Sequence, residues 1–245
     1  MSASPLLPDG AAFVAGAINS VAGGGSFLSF PALIAAGVAA IPANATGSAA
    51  LWVGNIGSAR AYAPELRRQR SLLVPILAVS IAGAVAGAIL LIRTPAPVFE
   101  RMIPWLLLFA TIVFAVSPLL RRPPKAAPRH SPWQLAAQFL VAVYGGYFGA
   151  GMGILMLAIL SFTGLRNFNE ANAMKNVLAI AINGAAIVPF VIARIIDWRF
   201  AIPMAIVALV GGYAGGRFFR RLPSAYARGI VIAIGVAMTI VFFRR

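Results

Sequence analysis

The chain has 245 residues, 61% of them hydrophobic and only 10% charged, with a formal net charge of +15 and a mean hydropathy of +0.91. A soluble domain of this length leaves too much of its surface in water to hide that apolar content, so the sequence is that of a multi-pass, all-α membrane protein. It contains no cysteine, which excludes disulfides and thiolate metal sites.

At the N-terminus, Met1–Leu7 carries no Lys or Arg, whereas a signal peptide opens on a basic region. The first apolar segment is therefore expected to stay in the mature protein. The longest uncharged stretch runs from Gly10 to Ala59. It exceeds one crossing, which takes about 20 residues at ~1.5 Å each. Two interruptions are expected. One is Gly23-Gly24-Gly25, where three glycines weaken a helix. The other is Pro42, with Asn44 as the N-cap of the following helix. Helices are predicted over about residues 45–63, 71–92 and 98–120, with a basic loop at Glu65–Arg70.

Arg121–Pro132 holds four cations and four prolines and reads as a linker. Beyond it, a second broken segment is expected over Trp133–Gly164, interrupted at Ala150-Gly151-Met152-Gly153. Helices follow over about residues 171–193, 200–219 and 224–243. Gly23 and Gly151 lie 128 residues apart, and the same offset relates Asn44 to Asn172, Asn55 to Asn183, Gly83 to Gly211 and Gly87 to Gly215. The expected organisation is a first repeat (1–120), a linker (121–132) and a second repeat (133–245). Each repeat opens with a broken or re-entrant segment. Paired interruptions of this kind point to a transporter's binding site; the competing reading is close packing of small residues between helices.

The cations lie between apolar segments, as topology signals do, and form no basic domain. Nucleic acid is therefore not an expected partner. If each broken segment dips into the membrane and returns, each repeat crosses three times and the two are inverted. That arrangement gathers 13 cations on one side and 6 on the other, against 11 and 8 if every segment crosses. The positive-inside rule prefers the inverted arrangement, with a cytoplasmic linker and both termini outside.

Catalytic chemistry lacks its groups. The five acids, Asp9, Glu65, Glu100, Glu170 and Asp197, lie at or near segment ends, and the one histidine, His130, is in the linker. No paired carboxylates, HExxH motif or Ser/His/Asp set can be assembled within the apolar segments. No catalytic residue, metal or cofactor is expected. Glu170 reads as a helix-start residue facing water.

The interior instead offers helix ends and neutral polar groups, which suit a small anion. The expected binding residues are Gly23, Gly24, Gly25 and Ser26 at the first break, Gly151 and Gly153 at the second, and Asn44, Thr46, Asn172, Lys175 and Asn176 at the following helix starts. Lys175, four residues after an expected helix start at Ala171, is the one lysine outside the linker. Its competing role is a snorkelling interfacial lysine. Asn55 and Asn183 read more readily as interhelical hydrogen-bonding groups. Trp52, Trp105, Trp133 and Trp198 read as interfacial belts.

The stretch Gly16–Ser26, with Pro31-Ala32-Leu33, Gly37 and Ala45-Thr46-Gly47, resembles the first repeat of the sulfite exporter TauE/SafE family, also called the toluene sulfonate uptake permeases. Gly145–Gly153, Asn172–Asn176 and Asn183 resemble the second. The resemblance covers nearly the whole chain. It implies a permease for sulfite, sulfonates or related small organic anions, set in the cell membrane, with the anion and the lipid bilayer as partners. Many relatives carry a Thr-Asn-Lys-like run in the first repeat, where this chain reads Thr46-Gly47-Ser48. A two-lysine site is therefore not carried over. The expected function is a secondary anion transporter working by alternating access. Two readings from other classes stand beside it: an integral-membrane enzyme acting on a lipid or isoprenoid, and a non-catalytic assembly or receptor subunit.

Overall fold

The computed structural model describes residues 6–21, 23–61, 70–120, 131–160, 168–218 and 224–244. These contain ten α-helices and no strand: α1 (Leu6–Val21), α2 (Ser26–Ala35), α3 (Ala40–Ala61), α4 (Arg70–Arg93), α5 (Ala96–Leu120), α6 (Pro132–Tyr147), α7 (Met152–Leu160), α8 (Phe168–Ile192), α9 (Trp198–Phe218) and α10 (Ser224–Phe243). Residues 65–69 of the expected basic loop and residues 121–130 of the linker lie outside the described set.

Four of the helices, α4, α5, α8 and α9, are long and apolar enough to cross a membrane. α3 has a comparable 22 residues but carries Asn44, Thr46, Asn55 and Ser58, all buried. Its polar groups face protein, where partners exist, and not lipid, where an unsatisfied group costs several kcal/mol.

The element order repeats after five helices. α1 and α6 have 16 residues each, and a short helix follows a break in both halves. The register within the breaks differs from the expected one. Gly23 N–H donates to Ile18 O at 3.2 Å, and Gly149 N–H donates to Tyr144 O at 3.1 Å. Gly23, Gly149 and Gly151 all hold φ near +77°, so it is these hydrogen bonds, each closing the end of a 16-residue helix, that set the register. Gly23 thus corresponds to Gly149, at an offset of 126, and not to Gly151. From α3 onward the offset of 128 holds: Gly83 and Gly87 of α4 abut the backbone of Phe139 and Val143 on α6, while Gly211 and Gly215 of α9 abut that of Phe13 and Ala17 on α1. The two-residue slip therefore falls between the short helix and the next long one. Glycine on these faces lets backbones approach closely, the usual basis of helix association in lipid.

The halves are interleaved. α9 packs on α1 and α3, and its counterpart α4 packs on α6 and α8. α10 packs on α5, α2 touches α10 as α7 touches α5, and α3 meets α8 at the centre. Replacing each helix by its counterpart five places on leaves this set of pairings unchanged. The larger hydrophobic cluster joins the two sides, taking in Ala88 and Leu91 of α4 and Ala186 and Phe190 of α8 along with residues of α1, α3 and α9. Ile76 and Ala84 of α4, Val141 and Ala142 of α6, and Met174, Leu178 and Ile182 of α8 form a hydrophobic cluster separate from the larger one. The structure contains two three-helix bundles, α1/α3/α9 and α4/α6/α8, each drawing helices from both halves, with α2, α5, α7 and α10 packed around them.

Pro42 does not break the chain as expected. α3 begins before it, at Ala40, and Ala43 N–H already donates to Ala39 O at 2.8 Å. Proline is tolerated here because the first helical N–H groups have no intrahelical acceptor. The interruption lies at residues 36–39, where Gly37 takes φ +88° and Val38 N–H donates back to Leu33 O at 3.0 Å. That is a Schellman closure of α2.

Candidate functional site

Each break reverses the chain. A Cβ on Gly25 would collide with the backbone of Ala15, ten residues earlier. In a continuing helix those residues would be about 15 Å apart, so α2 turns back along α1. Asn19 on α1 stabilises the reversal: its Oδ1 accepts from Gly25 N–H at 3.0 Å, supplying a side-chain acceptor where α2 begins.

The two breaks meet at the centre of the molecule, Gly23 against Gly153. The same region holds the C-terminal ends of α1 and α6, whose last carbonyls have no intrahelical donor. Each end is completed by the other half of the chain. Asn172 Nδ2 donates to Ser20 O at 2.6 Å, and Lys175 Nζ donates to Asn19 O at 2.6 Å. On the opposite side, Asn44 Nδ2 donates to Tyr147 O at 3.0 Å. A cation at a helix C-terminus also opposes the negative end of the macrodipole.

Between these caps lies a small cavity of about 20 Å³, room for roughly one water molecule. Its polar lining consists of Asn19, Ser26, Ser48, Asn55, Lys175 and Asn183, with Gly23, Gly149 and Gly153 supplying backbone. No carboxylate is among the lining residues. Asn55 Nδ2 in this lining, and Asn172 Oδ1 and both amide atoms of Asn176 on the helix that carries Lys175, are buried without a hydrogen-bond partner among the described residues. Each such group costs about 1–3 kcal/mol, and a bound polar solute is one way to satisfy them.

Of the residues expected from the sequence, Gly23, Ser26, Gly153 and Lys175 line the cavity. Gly24 and Gly25 complete the first turn, and Gly151, at φ +77°, abuts Ala110 of α5 in the second. Asn44 and Asn172 are capping donors across the halves. Asn44 is not an N-cap, because it lies inside α3. Asn176 is fully buried beside Lys175. Thr46 points elsewhere: its hydroxyl accepts from Asp197 N–H at 2.9 Å.

Lys175 differs from expectation in two ways. α8 begins at Phe168, not Ala171, so the lysine lies two turns in, beyond the reach of the helix N-terminus. It is also among the largest fully buried side chains, not a snorkelling one and not a loop charge. Glu170 is buried rather than facing water. Trp105, Trp133 and Trp198 are exposed, as belt residues are, but Trp52 is turned inward and donates from Nε1 to Ile180 O of α8 at 3.0 Å. Asn19 was not among the expected residues. Asn19 had one signal: an amide in an apolar run four residues before a triple glycine.

The sequence profile described as Sulfite exporter TauE/SafE matches residues 10–242. The chain is 26% identical to the "Probable membrane transporter protein ORF9" of Sinorhizobium sp, over 94% of this chain and 88% of that protein. It is 28% identical to the "Probable membrane transporter protein YfcA" of Escherichia coli (strain K12), over 93% of this chain and 85% of that one. The same identity relates it to a "Probable membrane transporter protein" of Haemophilus influenzae, over 93% and 89%. No solved structure matches the chain.

Proposed function

The chain belongs to the sulfite exporter TauE/SafE family, multi-pass transporters of the cell membrane, and from that premise we propose that it carries a small anion, sulfite or an organosulfonate, through the cavity where its two breaks meet. The observation behind this reading is the cavity's chemistry. One buried ammonium and three asparagine amides converge on it with no carboxylate to repel an anion. An ammonium has three N–H donors. One goes to Asn19 O, which leaves two for a ligand.

Binding sets the anion against the Asn19 carbonyl as a partner for Lys175. Drawing Lys175 toward the anion loosens the closure of α1 on α8. Alternating access then follows from one bundle, α1/α3/α9, rocking on the other, α4/α6/α8, about the α3–α8 contact. The halves of the chain, taken as residues 1–120 and 133–245, are inverted repeats related by an axis in the membrane plane, as the three-crossing arrangement requires.

The test is flux. Purified protein in liposomes, preloaded with labelled sulfite, should release it with saturable kinetics and chemically unchanged. Release of sulfite and of arylsulfonates no faster than from protein-free liposomes, or recovery of an altered product, overturns the proposal.

A further inference from the structure

Where α4 turns into α5, both spanning segments end. The first stops at Arg93 and the second begins at Ala96, so the turn between them sits at a membrane surface. A groove of about 470 Å³ descends from this turn between α5 and α6. Its top is polar, with Arg93 and Thr94; its walls are Val98, Met102, Leu106 and Leu140, closed behind by Tyr144 and Tyr147. Leu90, Val98, Met102 and Leu140 are exposed in the chain by itself.

We propose that this groove binds an anionic phospholipid, one acyl chain along α5 and α6 and the phosphate on Arg93. Three observations select that occupant. The groove lining follows α5 from Val98 to Leu106, about 12 Å at ~1.5 Å per residue. That fits within the depth of one leaflet, half of the ~30 Å hydrocarbon core. The charge is complementary: Arg93 is exposed, and no described acidic group pairs with it. The polarity is also ordered as in a lipid, cationic at the membrane surface and apolar below.

The position gives the lipid a role independent of which solute is carried. Tyr144 OH donates to Ala150 O at 2.6 Å within the second break, and Tyr147 O accepts from Asn44. An acyl chain packed on these two rings holds the end of α6 and the break that follows it.

The test is native mass spectrometry of the full chain in mild detergent, titrated with dioleoyl phosphatidylglycerol or dioleoyl phosphatidylcholine. The wild type should retain the phosphatidylglycerol preferentially. Arg93→Gln should reduce that preference about fivefold, the worth of one basic residue near a membrane surface. Leu140→Trp, which fills the groove from an exposed position, should reduce binding of both lipids. Arg101→Gln, in a separate cavity beside Glu100, should change nothing. Equal retention of both lipids by the wild type, or an unchanged preference in Arg93→Gln, overturns the proposal. So does a Leu140→Trp variant that shifts oligomeric mass without losing lipid, since a second copy of the chain would then be what covers the groove.

Discussion

Gly23 and Gly153 occupy each other's side-chain space: a Cβ built on either lies 2.9 Å from the Cα of the other. The contact joins two breaks that are far apart in sequence, and it leaves no room for even a methyl group. Gly23 also holds φ +77°, which β-branched residues avoid.

Gly23→Val should therefore cost about 1–3 kcal/mol of stability from overpacking and stop transport. Gly10→Val, on α1 with no described atom within 4 Å, should do neither. Thermal unfolding and liposome flux measure the two effects separately. Normal flux in a folded Gly23→Val variant would show that the breaks do not need to meet.

Lys175→Met should weaken anion binding by roughly 10- to 150-fold, the worth of one charge-assisted hydrogen bond of about 1.5–3 kcal/mol. Lys175→Arg should restore only part of it, because the lysine stem packs on Gly153 and a guanidinium presents a planar fork. Isothermal titration with sulfite on protein that elutes as a single folded species is the measurement. Unchanged affinity in Lys175→Met would reduce the lysine to a helix cap.

The cap itself can be tested apart from the ligand. Asn172→Ala removes the donor to Ser20 O, and an abandoned buried carbonyl costs about 1–3 kcal/mol. The expected result is a lower melting temperature with affinity for sulfite changed far less than in Lys175→Met. An unaltered melting temperature would mean the bond contributes nothing.

Asn176→Leu should separate function from stability in the opposite direction. Both polar atoms of this amide are buried and unpaired among the described residues, so an apolar replacement of similar size should leave the protein as stable as before, or more stable by about 1 kcal/mol. Anion affinity should nevertheless fall. Destabilisation with unchanged affinity would show that Asn176 serves the fold alone.

The chain has no cysteine, so Ser48→Cys places one thiol in the cavity lining. A small water-soluble thiol reagent should label it, and saturating sulfite should slow the labelling. Labelling at the same rate with and without sulfite would move the anion out of this cavity.

Helix order was legible from the sequence because glycine and proline punctuate it. The triple glycine, the Gly-Met-Gly run and Pro95 all fall at helix ends or between helices, whereas Pro203 is carried inside α9. The register of the breaks was not legible. Gly23 aligns as well with Gly151 as with Gly149, all three at the same φ, and only the backbone hydrogen bonds that close α1 and α6 distinguish them. The start of α8 was misplaced by three residues because Phe168-Asn169-Glu170 looks like loop, although an acid in the first turn is a helix-start signal. For Lys175, sequence spacing places it near a helix start, but its partner is a carbonyl 156 residues away. Such a contact depends on how the halves interleave, and local periodicity carries no record of it.

That interleaving constrains how the protein is made. α1 leaves the ribosome long before α9, the helix it packs against, and its terminal carbonyls wait for Asn172 and Lys175 on α8. Synthesis delivers the N-terminal part first. Until the second half is inserted, the first must hold an unclosed chain reversal and a bare glycine face in the membrane. A nascent chain halted within the linker should accordingly be a target for membrane quality control, and the two halves expressed as separate polypeptides should persist only when both are present.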